Sequence, residues 1–160
     1  MRLLIFAIFI NVAGFAQNVG DIAFDPKTDD PNFKICNPNW MWQNHWVKNK
    51  MDETALVVDK EFRNKYQPRD EWRNESGLIR IRFVVNCEGK ADRYRLLELD
   101  FDTKPKQFSE SLKKHVIDIT RSIQWPARRA HSQNGDQQTV DYYHYFSVKI
   151  TNGKLTDIVQ

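Results

Sequence analysis

The 160-residue chain has little cysteine and little proline, and no long apolar run. Two cysteines are too few for a cysteine-dense scaffold, and neither has a second cysteine or a histidine at metal-ligand spacing, which argues against a zinc module. Six scattered prolines leave no Pro-rich linker. No internal repeat or low-complexity tract is present. Phosphate-binding loops, nucleophile elbows and metal motifs are also missing, so the common signatures of catalysis and of metal or cofactor binding are absent. An excess of one charge is lacking as well. Twenty-four basic residues face 21 acidic ones, for a formal net charge of +3, which argues against a dedicated nucleic-acid binder.

What is present begins with "MRLLIFAIFINVAGFAQ". Arg2 precedes a mostly apolar run from Leu3 to Phe15, and Gly14 and Ala16 occupy the small-residue positions that signal peptidase reads. The run is shorter than the roughly 20 apolar residues of a membrane span. The expectation is a signal peptide over residues 1–16, cleaved after Ala16, leaving a periplasmic or secreted protein with no transmembrane span. The remaining chain, one domain in length, is enough for a single sizeable core.

Export gives the two cysteines a meaning. Cys36 and Cys87 are expected to form one disulfide, which would tie the N-terminal segment to a hairpin turn. Closing a loop of that length contributes about 4 kcal/mol in a chain-entropy account. Residues 17–50 read as an extended arm rich in Asp, Asn and Pro. It ends in "WMWQNHW", where Trp40, Trp42 and Trp46 flank His45 as packing or as an aromatic box.

Periodicity then organises residues 51–160 into one domain. Met51, Ala55, Val58, Phe62 and Tyr66 predict one face of a helix, with Asp52 and Glu53 at its positive end and Pro68 beyond it. Phe108, Leu112, Val116, Ile119 and Ile123 predict a second helix that stops before "WPA" at 125–127, with His115 at the margin of the stripe. Between them, Ile79, Ile81, Phe83 and Val85 alternate with Arg80 and Arg82, turn through "NCEG", and return as "ADRYRLLEL". Setting Tyr94 and Leu96 on the face of Phe83 and Ile81 requires an even loop or a bulge. In "TVDYYHYFSVKI", Val140, Tyr142, His144, Phe146, Val148 and Ile150 share one face, and Asn152 with Gly153 signals a final hairpin. The expected fold is α+β: an antiparallel sheet of three to four strands with two helices packed on one face.

Gly77, Ile79, Ile81, Phe83 and Val85, then Gly89 in the turn, Trp125-Pro126-Ala127 after the helix, and the strand through Phe146 form a pattern that resembles the C-terminal domain of TonB-type proteins. The resemblance covers about residues 77–150. The extra helix and the two cysteines resemble a variant found in exported proteins of Bacteroidetes. The resemblance implies a periplasmic domain that binds a partner by adding one of its segments to a sheet edge, with no cofactor. The chain lacks a retained inner-membrane anchor and a Pro-rich spacer, so energy transduction is not implied for this chain alone.

The expected function is thus a non-catalytic binding module of the cell envelope, pairing with an envelope protein or with a second copy through a sheet edge. Tyr143, Tyr145 and Ser147 are the candidates for strand addition, and Arg80, Arg82, Arg93 and Arg95 for an anionic partner. The same arginines could be a solvated face that discourages wrong pairing, and the tyrosines could pack across strands. A small secreted hydrolase is the alternative. Its local candidates Ser147, His144 and Asp141 do not share one strand face, which leaves His45 or His131 to converge from elsewhere. A permanent envelope assembly factor is a third reading.

Overall fold

Three aromatic and β-branched segments set the architecture, because each alternates inward and outward side chains along an extended backbone. The computed structural model describes residues 22–47, 53–131 and 135–160. The expected signal peptide, Met51, Asp52 and the loop residue Asn134 lie outside the described residues. Elements run in the order β1 (Met41–Gln43), α1 (Asn44–Val47), α2 (Thr54–Lys65), a single 3-10 turn at Asp70–Trp72, β2 (Gly77–Val85), β3 (Ala91–Leu99), α3 (Glu110–Arg121), β4 (Arg128–His131), β5 (Gln137–Thr151) and β6 (Lys154–Val159).

Among the described residues the sheet has six strands, and β5 is its spine. One edge of β5 pairs antiparallel with β2, from Tyr142 against Val85 to Ile150 against Gly77, and β3 lies beyond β2. The other edge carries β1, parallel over Asp141–Tyr143, and β6, antiparallel over Ser147–Thr151. β4 pairs with the first residues of β5. The α+β class holds, with corrections to its detail. Six strands replace three to four, the sheet is mixed, and α1 adds a third helix. The parallel strand comes from the Trp-rich end of the arm, whose three-residue length is too short for alternation to reveal.

One face of the sheet carries the main core. Val58 and Phe62 of α2, and Leu112, Val116 and Ile119 of α3, join Ile79, Ile81, Phe83 and Val85 of β2 and Tyr142, Phe146, Val148 and Ile150 of β5 in one buried cluster. Each such side chain contributes about 2 kcal/mol of transfer free energy. The α3 stripe from Phe108 to Ile123 is buried at all five predicted positions. Ser109 caps that helix by accepting the Leu112 N–H, a partner the first turn cannot supply for itself. Along α2 the stripe is narrower: Val58, Phe62 and the C-cap Tyr66 are buried, whereas Ala55 is exposed.

The β2–β3 hairpin takes the bulged alternative. The register slips between Arg82 and Val84, where Arg93 adopts a φ of 59°, and this places Tyr94 in a stack with Phe83 at 5.2 Å and Leu96 opposite Ile81. Gly89 in the turn has a φ of 80°, and a Cβ there would lie 2.6 Å from the Trp125 carbonyl oxygen. The glycine turn and the Trp-Pro-Ala segment are therefore in contact. Trp125 in turn packs on Phe83 at 4.6 Å, and Tyr142 Oη donates to the Pro126 carbonyl at 2.8 Å.

Candidate partner-binding surfaces

The second face of the sheet is built by side chains that alternate away from the helices. Register places them in rows from β3 to the far edge: Leu99, Leu78, Lys149 and Asp157; then Leu97, Arg80, Ser147 and Val159; then Arg95, Arg82 and Tyr145. Beyond these come Val84, Tyr143 and Gln43, then Asp141 and Met41. The arm covers this last part and reaches Arg95 at the end of the preceding row. Ile22 and Ile35 are buried against Val84 and Tyr143, with Phe33 and Met41 at the margin.

Two devices hold the arm there. The first is the Cys36–Cys87 disulfide, with Cα atoms 6.1 Å apart. Beside it, the fully buried Asp141 carboxylate accepts the backbone N–H groups of Cys36 at 3.2 Å, Asn37 at 2.6 Å and Cys87 at 2.9 Å. Three charge-assisted donors satisfy a carboxylate that would otherwise be costly to bury. Asn86 adds a bond from Nδ2 to the Lys34 carbonyl. The second device is an ion pair at the other end of the arm, where the Arg95 guanidinium makes two 2.7 Å bonds to the Asp29 carboxylate and donates to the Ala23 carbonyl. Burial opposes ionisation of Asp29, but the bonds and charge of Arg95, with the Asp25 N–H, outweigh it and hold the carboxyl below its ordinary value.

The four arginines expected to share one basic face are divided by this packing. Arg93 is buried, its guanidinium over the Phe24 ring, and burial pulls it below the ordinary arginine value. Arg95 is committed to the arm. Arg82 is half-buried above the Tyr143 ring at 4.8 Å. Arg80 alone of the four is exposed, its Nε donating to Ser147 Oγ at 3.2 Å.

The tyrosine strand is likewise placed differently. Tyr143 and Ser147 have strand neighbours on both sides, Val84 and Gln43 for the first, Arg80 and Val159 for the second. β5 is thus interior, because the Asn152–Gly153 hairpin folds β6 back along it. Among the described residues, the edge opposite Tyr145 is the stretch of β5 with neither β1 nor β6 against it, and the Tyr145 side chain is exposed. A second free edge belongs to β6. Five of its six residues pair with β5 on one side, Thr156 sitting at a register shift, and no described strand lies on the other. There the Ile158 N–H is met by the Asp157 carboxylate at 2.8 Å, so it points away from the ladder. On the opposite margin of the sheet β3 pairs only with β2, and the Leu99–Pro105 bridge and the Lys106 N–H on the Glu98 carbonyl cover just its C-terminal end.

The hydrolase candidates do not converge. Ser147 and Asp141 lie on the arm side of the sheet; His144 lies on the helix side against Trp125 at 5.0 Å and Phe83 at 5.5 Å. His131 bonds the Gly135 carbonyl and Gln137, and His45 meets the ring of the exposed Trp46. The sulfur atoms of Cys36 and Cys87 and the Asp141 carboxylate lie within 4.8 Å of one another, but sulfurs joined to each other offer no thiolate. The tryptophan cluster divides too: Trp40 and Trp42 pack on the core 5.4 Å apart, and Trp46 is 69% exposed. The role of Asp141 was missed by periodicity, although an aspartate inside an aromatic strand is a signal in itself, being depleted in strands. Compared with family models, curated proteins and solved structures, the chain matches none.

Proposed function

We propose that this chain is an exported, non-catalytic binding module, working in the periplasm or outside the cell, which recruits a protein partner by adding an extended segment of that partner to its sheet. The observation that carries the reading is the free outer edge of β6, Lys154–Val159. An edge strand offers a row of backbone donors and acceptors that an incoming strand satisfies, and alternate side chains supply selectivity. The Asp157 carboxylate on the Ile158 N–H acts as a reversible cover, occupying an edge donor until a partner carbonyl replaces it. The arm disulfide fits a compartment in which thiols stay oxidised. The strand, glycine-turn and Trp-Pro-Ala pattern that resembles TonB C-terminal domains implies the same mode of binding.

Affinity capture with the tagged full chain, run beside an Ile158→Pro variant, tests this reading. Proline removes the outward N–H without touching a ladder bond. A defined envelope partner retained by the native chain and lost by the variant is the expected result, with amide protection appearing along β6 in the complex. Equal capture by a folded variant would overturn it.

A further inference from the structure

The arm covers one half of the second sheet face and leaves the other half bare. On the bare half, Leu97 is 48% exposed, Phe101 49%, Tyr145 46% and Val159 51%, and Leu78 and Leu99 lie half-buried between them. Scattered apolar side chains on a surface need no explanation, but these occupy neighbouring strands in adjoining rows, with Phe101 just beyond the end of β3.

Within this field stand two cations, Arg80 on β2 and Lys149 on β5, diagonal neighbours across adjacent strands; Asp157 of β6 lies opposite Lys149 in register, but its carboxylate is engaged by the Ile158 N–H. Arg80 donates to the neutral Ser147 hydroxyl, and Lys149 lies 5.5 Å from the Phe101 ring centroid. Neither has an ion-pair partner among the described residues, in contrast to Arg95, which Asp29 neutralises. A surface that pairs its cations where the arm sits and leaves them unpaired where it does not is complementary to an occupant that brings its own carboxylates.

We propose that the bare half-face, centred on Arg80, Lys149, Leu97 and Phe101, docks an acidic amphipathic helix from a partner protein. This goes beyond the edge-pairing reading, because it uses side chains on a face and not the backbone of an edge. A helix suits the site because a cylinder about 10 Å across covers two to three strands spaced about 4.8 Å apart. A second copy of this chain is a poor occupant, since it would set the same cations against each other. An anionic membrane is also poorly matched, because two cations fall short of the clusters of about four to eight that such surfaces use.

The test uses the full chain with its disulfide intact and a fluorescent Leu/Glu amphipathic helical peptide, with a Leu/Lys peptide of the same pattern and phosphatidylglycerol-containing vesicles as comparisons. Saturable binding of the Leu/Glu peptide is expected, with NMR shifts confined to Leu78, Arg80, Leu97, Leu99, Phe101 and Lys149. Joint Arg80→Glu and Lys149→Glu substitution, at positions outside the main core, is expected to weaken it about tenfold or more. Leu97→Ser, which changes no charge, should weaken it as well, and Ile158→Pro should leave it unchanged, which separates this surface from the β6 edge. Equal binding of both peptides, binding unaffected by the double charge reversal, preference for vesicles, or self-association through this face would each overturn the proposal.

Discussion

The Asp141 carboxylate receives the backbone N–H of Cys87 at 2.9 Å, across 54 residues of sequence, at the point where the disulfide closes. The same carboxylate takes the N–H groups of Cys36 and Asn37, so one buried side chain organises both ends of the covalent staple. The disulfide sets which segments meet, and Asp141 sets how their backbones are oriented.

Replacing Asp141 with alanine should therefore cost more than losing an ordinary hydrogen bond. Three backbone donors in part-buried hydrogen bonds lose a charged acceptor that is itself fully buried, and the expected loss is about 3 kcal/mol. Asp141→Asn should recover only part of it, because an amide offers a single acceptor oxygen. Denaturant melts of the oxidised proteins measure both, and a loss within about 0.5 kcal/mol for Asp141→Ala would show the nest to be dispensable.

Reduction should release the arm before it unfolds the sheet. Losing the cross-link removes about 4 kcal/mol in the chain-entropy account, while the helix-side core is untouched. Amide exchange should accelerate across residues 22–37 and at Val84 and Tyr143, which the arm covers. Cys87→Ser should reproduce this without reductant. Identical melting temperatures for the native protein with and without reductant would refute it.

Arg95→Met separates the ion pair from the disulfide. Asp29, with a side chain 1% exposed, would keep its charge and lose its guanidinium, at an expected cost of about 2 kcal/mol, moderated because Arg95 is itself part-exposed. The pairing holds Asp29 below its ordinary value, so its contribution is present above about pH 3.9 and is lost as pH falls through the lower folded-state value. The gap between native and variant stability should narrow over that acid range. A gap independent of pH would mean that the arginine acts by packing alone.

His115 predicts a second, milder pH dependence. Burial, and then the charge of Arg69, lower its value from about 6.5, with Asp118 acting the other way; its Nε2 accepts the Gln67 N–H at 3.3 Å. The neutral ring therefore stabilises the fold above about pH 6.5, and this contribution is lost as pH falls through the folded-state value. His115→Gln should flatten the stability profile below about pH 6.5, and an unchanged slope would assign the profile to other groups.

Gly89→Ala tests the contact behind the turn and the Trp-Pro-Ala segment. It demands a left-handed backbone from alanine and sets a Cβ 2.6 Å from the Trp125 carbonyl oxygen, so an expected loss of about 2–3 kcal/mol should come with a change in the Trp125 fluorescence environment. Full stability with unchanged emission would contradict the contact.

What the sequence determined by itself is local and periodic. The α3 stripe from Phe108 to Ile123, the inward faces of β2 and β5, and the Asn152–Gly153 turn follow from side-chain spacing, because a helix or strand repeats its buried positions at a constant interval. The even cysteine count made the Cys36–Cys87 pair legible as well. Only the tertiary structure decided which face the arm covers, that β5 is interior and β6 an edge, and that Arg93 and Arg95 serve the arm while Arg80 faces water. These outcomes depend on contacts between residues tens of positions apart, Asp29 with Arg95 and Asp141 with both cysteines. Spacing along the chain carries no record of them, since they arise from how the layers stack.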